Sequence, residues 1–261
     1  MTNTVNTSNT VNTYGLVVYH KNAGEEPTFH ISQRRDTLAY IHFIKGGVPE
    51  EKLEPYFARM TQVEKDRILT HSFKDLWTDL FCDKHIADVD HFNRSMNKFE
   101  RFKSANLLQS AYDKTSTRSI ELEWGIPKGR KKHAHEPDLV CAHREYREET
   151  RNRCYLEFLD YPPIKCVHPT RNETITYFVA RSKFRSSSRH YIQEFGKIFR
   201  SSVSDETGNL YWMTLNTSSN VLIPVYQKVL QEVSEVLKTH SEFLLIQDII
   251  TKYKDRDKEG E

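Results

Sequence analysis

Between Gly129 and Thr150 the sequence reads GRKKHAHEPDLVCAHREYREET, and three of its carboxylates, Glu145, Glu148 and Glu149, fall at offsets of three and four. On a helix such offsets place side chains on one face, roughly 5–6 Å apart at Cβ. Three negative charges that close repel one another in an isolated helix. They become favourable when a hard cation sits among them, because Mg²⁺ takes oxygen ligands. Arg144, four residues before Glu148, is placed to hold it by a charge-assisted bond. A solvated charged face is the plain alternative for REYREE. The flanking residues weigh against it: Lys128, Arg130, Lys131 and Lys132 give four cations and no acid across 128–135. Cations for phosphate beside carboxylates for metal are the two components that phosphoryl chemistry requires.

The elements around this segment would have to position it. Asp138 can cap a helix running to Thr150, with Leu139, Ala142 and Tyr146 as its narrow apolar stripe. Strand alternation in 119–127 leads into the basic loop, and further strands are predicted at 173–181 and 209–214. An amphipathic helix is predicted from about 224 to 238, with Val225, Val229, Val233, Val236 and Leu237 on one face. Upstream, YGLVVYHK and FHISQRR flank a turn at Asn22–Gly24 and read as a β-hairpin. Between these sheet elements the periodicity turns helical. Segment 49–82 spaces Ile68, Phe73, Leu76, Trp77, Leu80 and Phe81 at helical steps, Thr61 and Glu64 fit a capping box, and 91–112 lacks strand alternation. The predicted organisation is a disordered tail at 1–13, a first sheet portion at 14–37, a helical insertion at 38–116, a main domain at 117–250 and a charged tail at 251–261. Strands on either side of one loop–helix unit indicate an α+β layered fold.

Composition narrows the classes. With 38 basic and 36 acidic residues among 261, the formal charge is +2, so any nucleic-acid binding must come from local clusters and not from bulk charge. One such cluster is 181–200, where Arg181, Lys183, Arg185, Arg189, Lys197 and Arg200 face Glu194 alone and aromatics interleave them. No apolar run approaches the roughly 20 residues that span a bilayer, and no secretory signal is visible. Cys82, Cys141, Cys154 and Cys166 are scattered, which suggests free thiols in a reducing compartment. His133, His135, His143 and His168 are likewise too scattered for a zinc site.

The order Gly129, Glu136, Arg144-Glu145, Glu148-Glu149 resembles the signature of Nudix hydrolases, which cleave nucleoside diphosphates linked to another moiety. Two departures stand out: six residues instead of five separate Gly129 from Glu136, and Arg151 occupies the place of a closing glycine. WGIPKG followed by Asp138–Thr150 is similar to the messenger-RNA decapping branch of that family. RRDTLAYIHFIKG (34–46), FARMTQVEKDRI (57–68) and FKDLWTDLF (73–81) resemble its viral members, those of African swine fever virus and mimivirus relatives, which carry a helical insertion.

The resemblance implies an α/β/α sandwich with a mixed sheet and a mostly helical insertion in its N-terminal part. It implies Mg²⁺ or Mn²⁺ as cofactor, capped RNA as partner, no membrane, and a cytoplasmic site of action, the host's if the chain is viral. Glu145, Glu148 and Glu149 would be metal ligands, Arg144 would orient Glu148, and Glu149 would be catalytic. Glu206, six residues before Trp212, would be general base or extra ligand, with Asp205 as its competitor. Gly129 and Glu136 would shape the loop. Lys128, Arg130, Lys131, Lys132, Arg181, Lys183 and Arg185 would meet phosphate or RNA, and the insertion could add RNA-binding surface. The implied reaction removes the 5′ cap of mRNA as 7-methylguanosine diphosphate and leaves a 5′-monophosphate RNA. Two alternatives stay open: a Nudix hydrolase of dinucleoside polyphosphates or diphosphoinositol polyphosphates, and an RNA-binding module with a vestigial Nudix helix.

Overall fold

Alternating apolar residues in LVVY and ITYFV give these strands two buried faces, and in the computed structural model they form a mixed sheet covered by a helix on each side. The structure describes residues 10–81, 88–115, 120–151, 155–183, 204, 206–240 and 243–245. In chain order the elements begin with β1 (Val11–His20) and β2 (Thr28–Arg34), followed by α1 (Leu38–Ile44), α2 (Leu53–Phe57), α3 (Gln62–Thr70), α4 (Phe73–Phe81), α5 (Val89–Ser104) and α6 (Leu107–Thr115). Then come β3 (Trp124–Gly125), β4 (Lys128–Gly129), α7 (Asp138–Thr150), β5 (Leu156–Leu159), β6 (Ile164–Val167) and β7 (Glu173–Ser182). The chain continues with β8 (Thr207–Thr214), α8 (Leu215–Ser218), α9 (Pro224–Thr239) and β9 (Phe243–Leu245).

The chain divides into two compact units. The first holds residues up to Ser32, the stretch from Trp124 through Lys183, and everything from Leu210 onward; the second holds Gln33–Glu123 with Ser204 and 206–209. The sheet order is β3-β2-β1-β7-β5-β9, with β4 on β1, β6 on β7 and β8 on β2. β1 and β7 run parallel, whereas β1 with β2 and with β4, and β5 with β7, are antiparallel. Period-two alternation then sorts the strand residues. Leu16, Val18, Leu156, Phe158 and Ala180 pack on Leu139, Ala142 and Tyr146 of α7. Val17, Tyr19, Ile175, Tyr177 and Val179 pack on Tyr226, Val229, Leu230, Val233 and Val236 of α9. The first unit is therefore an α/β/α layering, as expected for the α+β class.

The second unit is helical, and Tyr40, Phe43, Phe57, Met60, Ile68, Phe73, Trp77, Phe99 and Phe102 form its core. The Thr61–Glu64 capping box closes as expected, with Glu64 Oε2 accepting from the Thr61 amide at 2.8 Å. Among the described residues no helix is long and apolar enough to cross a membrane.

Three expectations need correction. The first strand starts at Val11 and not Tyr14, because Val11–Thr13 pair with Glu173–Ile175 and their backbone is satisfied by β7. Residues 1–9 of the expected tail, and all of 251–261, lie outside the described residues. The strand predicted over 119–127 shrinks to Trp124–Gly125 in the ladder; the carbonyls of Leu122 and Glu123 are instead taken singly by Gln33 Nε2 and the Arg34 amide. Asp138 does not cap α7: Pro137 occupies that place without a side-chain bond, and the Asp138 carboxylate pairs with Lys131 Nζ at 2.7 Å.

Candidate functional site

α7 forms over the predicted span because its apolar stripe has a sheet to cover. Leu139, Ala142 and Tyr146 are buried, which leaves Glu145, Glu148 and Glu149 on the opposite side. The helix ends with Arg151 in the left-handed region at φ 51°, its amide donating to Arg147 O. A non-glycine residue thus makes the turn that glycine makes at ordinary helix ends.

One guanidinium organises the acidic face. Arg144 donates from Nε to Glu136 Oε1 at 2.7 Å and from Nη2 to Glu136 Oε2 at 3.0 Å. Its Nη1 reaches Glu145 Oε1 at 2.7 Å and Glu148 Oε2 at 3.0 Å, and Nη2 also bonds the Arg130 carbonyl at 2.8 Å. The hydrogen bonds from Arg144 hold the Glu136 carboxyl down at about 2, with help from the Lys132 amide. Burial pushes Glu148 up, but Lys132 and Arg144 outweigh it and the net shift is downward. Arg144 thus holds three glutamates at once, not Glu148 alone.

The loop supplies the rest. Lys132 Nζ meets Glu148 Oε1 at 2.7 Å, and Lys131, besides its Asp138 pair, lies 5.1 Å from the Tyr14 ring centroid. Lys128 is different: its Nζ is turned to Glu173 Oε1 at 2.5 Å, and its main-chain N–H donates to Glu149 Oε1 at 3.2 Å. Arg130 has an exposed side chain. Gly129 is required by contact: a Cβ there would stand 2.2–2.5 Å from the Glu145 carboxylate atoms.

Arg181 and Lys183 are not beside these residues in the hydrogen-bond network. Both pair with Glu157, at 2.5 Å and 2.8 Å. Glu206 belongs to the second unit, where its carbonyl accepts from the Arg35 amide at 2.8 Å and its side chain is exposed. Arg185, Asp205 and the aromatics interleaved through 184–200 lie outside the described residues.

Sequence spacing missed Thr13 and Glu173, which are buried beside Lys128. It also missed a buried charge network in the second unit: Arg67 bonds Asp36 and Asp79, each at 2.9 Å, and Arg35 Nε bonds Asp36 at 2.8 Å. The Glu64 carboxylate there accepts from the Thr37 amide at 2.6 Å. The available signal was the charges standing inside apolar helical periods.

The donor set fits a hard divalent cation. It consists of carboxylate oxygens, two of which already converge on one cationic nitrogen, and Gly129 leaves the space that the Glu145 carboxylate fills. Among the described residues Glu145 and Glu148 are held by Arg144 and Lys132, Glu149 accepts from the Lys128 amide, and the three are not gathered into a metal-ready cluster.

No family model matches the chain. It is similar to curated mRNA-decapping protein g5R of African swine fever virus. The sequence is 27% identical over 164 residues to that of the Warthog/Namibia isolate, covering 59% of this chain and 61% of the relative. The Pig/Kenya isolate gives 27% over 163 residues with the same coverage. The chain thus spans under two thirds of the length of these relatives. Among solved structures, the Ap4A hydrolase of C. elegans aligns over 87% of this chain and 98% of its own, at 13% identity and a TM-score of 0.42. The Nudix domain of Shewanella oneidensis NrtR, solved with ADP ribose, aligns over 88% and 90%, at 9% identity and a TM-score of 0.40. The similarity to the viral decapping proteins bears out the expected resemblance to them.

Proposed function

We propose that the chain is a divalent-metal-dependent pyrophosphohydrolase of Nudix type that removes the 5′ cap of messenger RNA, releasing 7-methylguanosine diphosphate and a 5′-monophosphate RNA. The observation that carries this reading is the Arg144 hub, which sets Glu145 and Glu148 on one point of α7 beside a loop of lysines. Glu145, Glu148 and Glu149 would hold Mg²⁺ or Mn²⁺. A bound ion supplies charge neutralisation for the phosphate bridge and an activated water.

The chain's own groups do the rest. Arg144 orients two of the ligands, and Glu136 keeps the guanidinium in place. Lys131 and Lys132 are partly exposed and their pairs lie at the surface. Exposed pairs contribute about 0–1 kcal/mol, so exchanging a carboxylate partner for a phosphate oxygen costs little. Arg130, exposed beside them, adds a third cation. Capped RNA is favoured as substrate by the similarity to the viral decapping proteins, and a cytoplasmic site of action is part of the same proposal.

The test is thin-layer chromatography of cap-labelled RNA incubated with Mg²⁺ or Mn²⁺, beside a dinucleoside polyphosphate. Labelled 7-methylguanosine diphosphate from wild type, and none from Glu149→Gln at an unchanged melting temperature, is the expected result. Cleavage of the dinucleoside polyphosphate alone would replace capped RNA with a small substrate. RNA binding without any metal-dependent product would leave a binding module.

A further inference from the structure

Glu173 plays no part in the proposed chemistry, yet it is buried at the start of β7 and tied to the site from behind. Its Oε1 accepts from Lys128 Nζ at 2.5 Å and from Thr13 Oγ1 at 2.8 Å. The side chains of Lys128 and Glu173 are 15% and 9% exposed. Lys128 also donates its main-chain N–H to Glu149 Oε1. A single lysine therefore touches a candidate metal ligand through its backbone and a buried carboxylate through its ammonium. β4 is registered on β1 at Gly15, where a Cβ would stand 2.4 Å from the Tyr177 ring and 2.9 Å from Lys128 Cβ. An ammonium held in this way cannot leave for a phosphate without uncoupling a largely buried ion pair and leaving the Glu173 carboxylate without its cation.

The geometry points to Glu173 as a positioning residue that anchors Lys128 so that the Lys128 amide holds Glu149, an inference resting on the reading of Glu149 as a metal ligand. Lys128 thereby moves from the phosphate-binding set to the scaffold of the ligands. Thr13, from the stretch expected to be a disordered tail, completes the anchor.

Titration of Mn²⁺ alone, with free ion followed by electron paramagnetic resonance, tests it apart from hydrolysis. Glu173→Gln weakens Mn²⁺ binding about tenfold, in the range found for groups that orient metal ligands. In steady-state hydrolysis the same variant lowers kcat with KM essentially unchanged. Adding Lys128→Met to Glu173→Gln weakens Mn²⁺ binding little further, because the single variant has already released the anchor that acts through Lys128. Thr13→Val removes only one hydrogen bond and gives a smaller loss in a protein that keeps its fold.

Wild-type Mn²⁺ affinity in both Glu173→Gln and Thr13→Val overturns the inference, as does a Lys128→Met variant that raises KM at unchanged Mn²⁺ affinity. If wild type binds Mn²⁺ but hydrolyses neither substrate, the hydrolase reading fails while the Mn²⁺ series still decides the role of Glu173. If wild type binds no Mn²⁺, both fall.

Discussion

Arg144 grips Glu136 at two points, Nε to Oε1 at 2.7 Å and Nη2 to Oε2 at 3.0 Å, and so fixes the plane of the guanidinium whose third nitrogen serves Glu145 and Glu148. A two-point bond sets orientation as well as distance, which a lysine ammonium could not do. Glu136 is thus the keystone of the acidic face although it need not touch a metal.

The pH dependence of this grip has a definite sign. Arg144 lowers the Glu136 carboxyl from the usual 4.5 to about 2. A depressed carboxyl contributes stability that is present above its unfolded value and is lost as pH falls through the folded one. Amide-exchange protection in α7, corrected for intrinsic rates, is expected to hold down to about pH 4.5 and to fall below it. Glu136→Gln should shrink that acid limb, leaving the part that the lowered Glu148 carboxyl contributes, and weaken Mn²⁺ binding about tenfold. An unchanged acid limb in the variant would contradict the assignment.

Gly129→Ala should damage the site far more than the fold. The new methyl group would displace the Glu145 carboxylate, the end of a flexible side chain, and so leave the backbone in place. Metal-dependent turnover is expected to fall at least about tenfold, since ligand orientation is worth that much, with a melting temperature close to that of wild type. Gly125→Ala serves as the control, because its Cβ would meet only Tyr226 at an ordinary 3.6 Å.

Arg151→Gly should be more stable than Arg151→Ala, which loses the same side chain but keeps the left-handed strain. The left-handed conformation at φ 51° costs an ordinary residue about 1 kcal/mol, part of which is returned by the greater freedom of glycine in the unfolded chain. A gain of about 0.5 kcal/mol corresponds to roughly 1–2 °C in a chain of this size. Calorimetry showing a lower melting temperature for Arg151→Gly than for Arg151→Ala would count against strain at this turn.

The helical unit should respond to pH in the opposite sense. Burial, reinforced by the neighbouring Asp36, pushes Glu64 up to about 7, and burial pushes Asp79 up to about 6 against the pull of Arg35 and Arg67. The folded unit then keeps protons that the unfolded chain has released, so its stability falls as pH rises from about 4 to 7. Corrected exchange protection at Phe57 and Ile68 is expected to be greater at low pH within that window than above it. Arg67→Met removes the cation shared by Asp36 and Asp79 and should destabilise the unit by about 3–5 kcal/mol.

The sequence by itself determined α7, its buried stripe and the shared face of Glu145, Glu148 and Glu149, because helical periodicity is local and every position needed lies within one short segment. The hairpin, the β7 alternation, the amphipathic α9 and the Thr61–Glu64 box were legible for the same reason. Only tertiary structure decided which partner each charge takes. Lys128, read as a phosphate cation from its place in a basic run, is claimed by Glu173 from 45 residues away, and Glu173 by Thr13 from 160 away. Asp36 and Arg67, separated by 31 residues, are ordinary surface types until helix packing buries them together. A buried ion pair is selected by desolvation, which acts on positions in space and leaves no spacing rule along the chain.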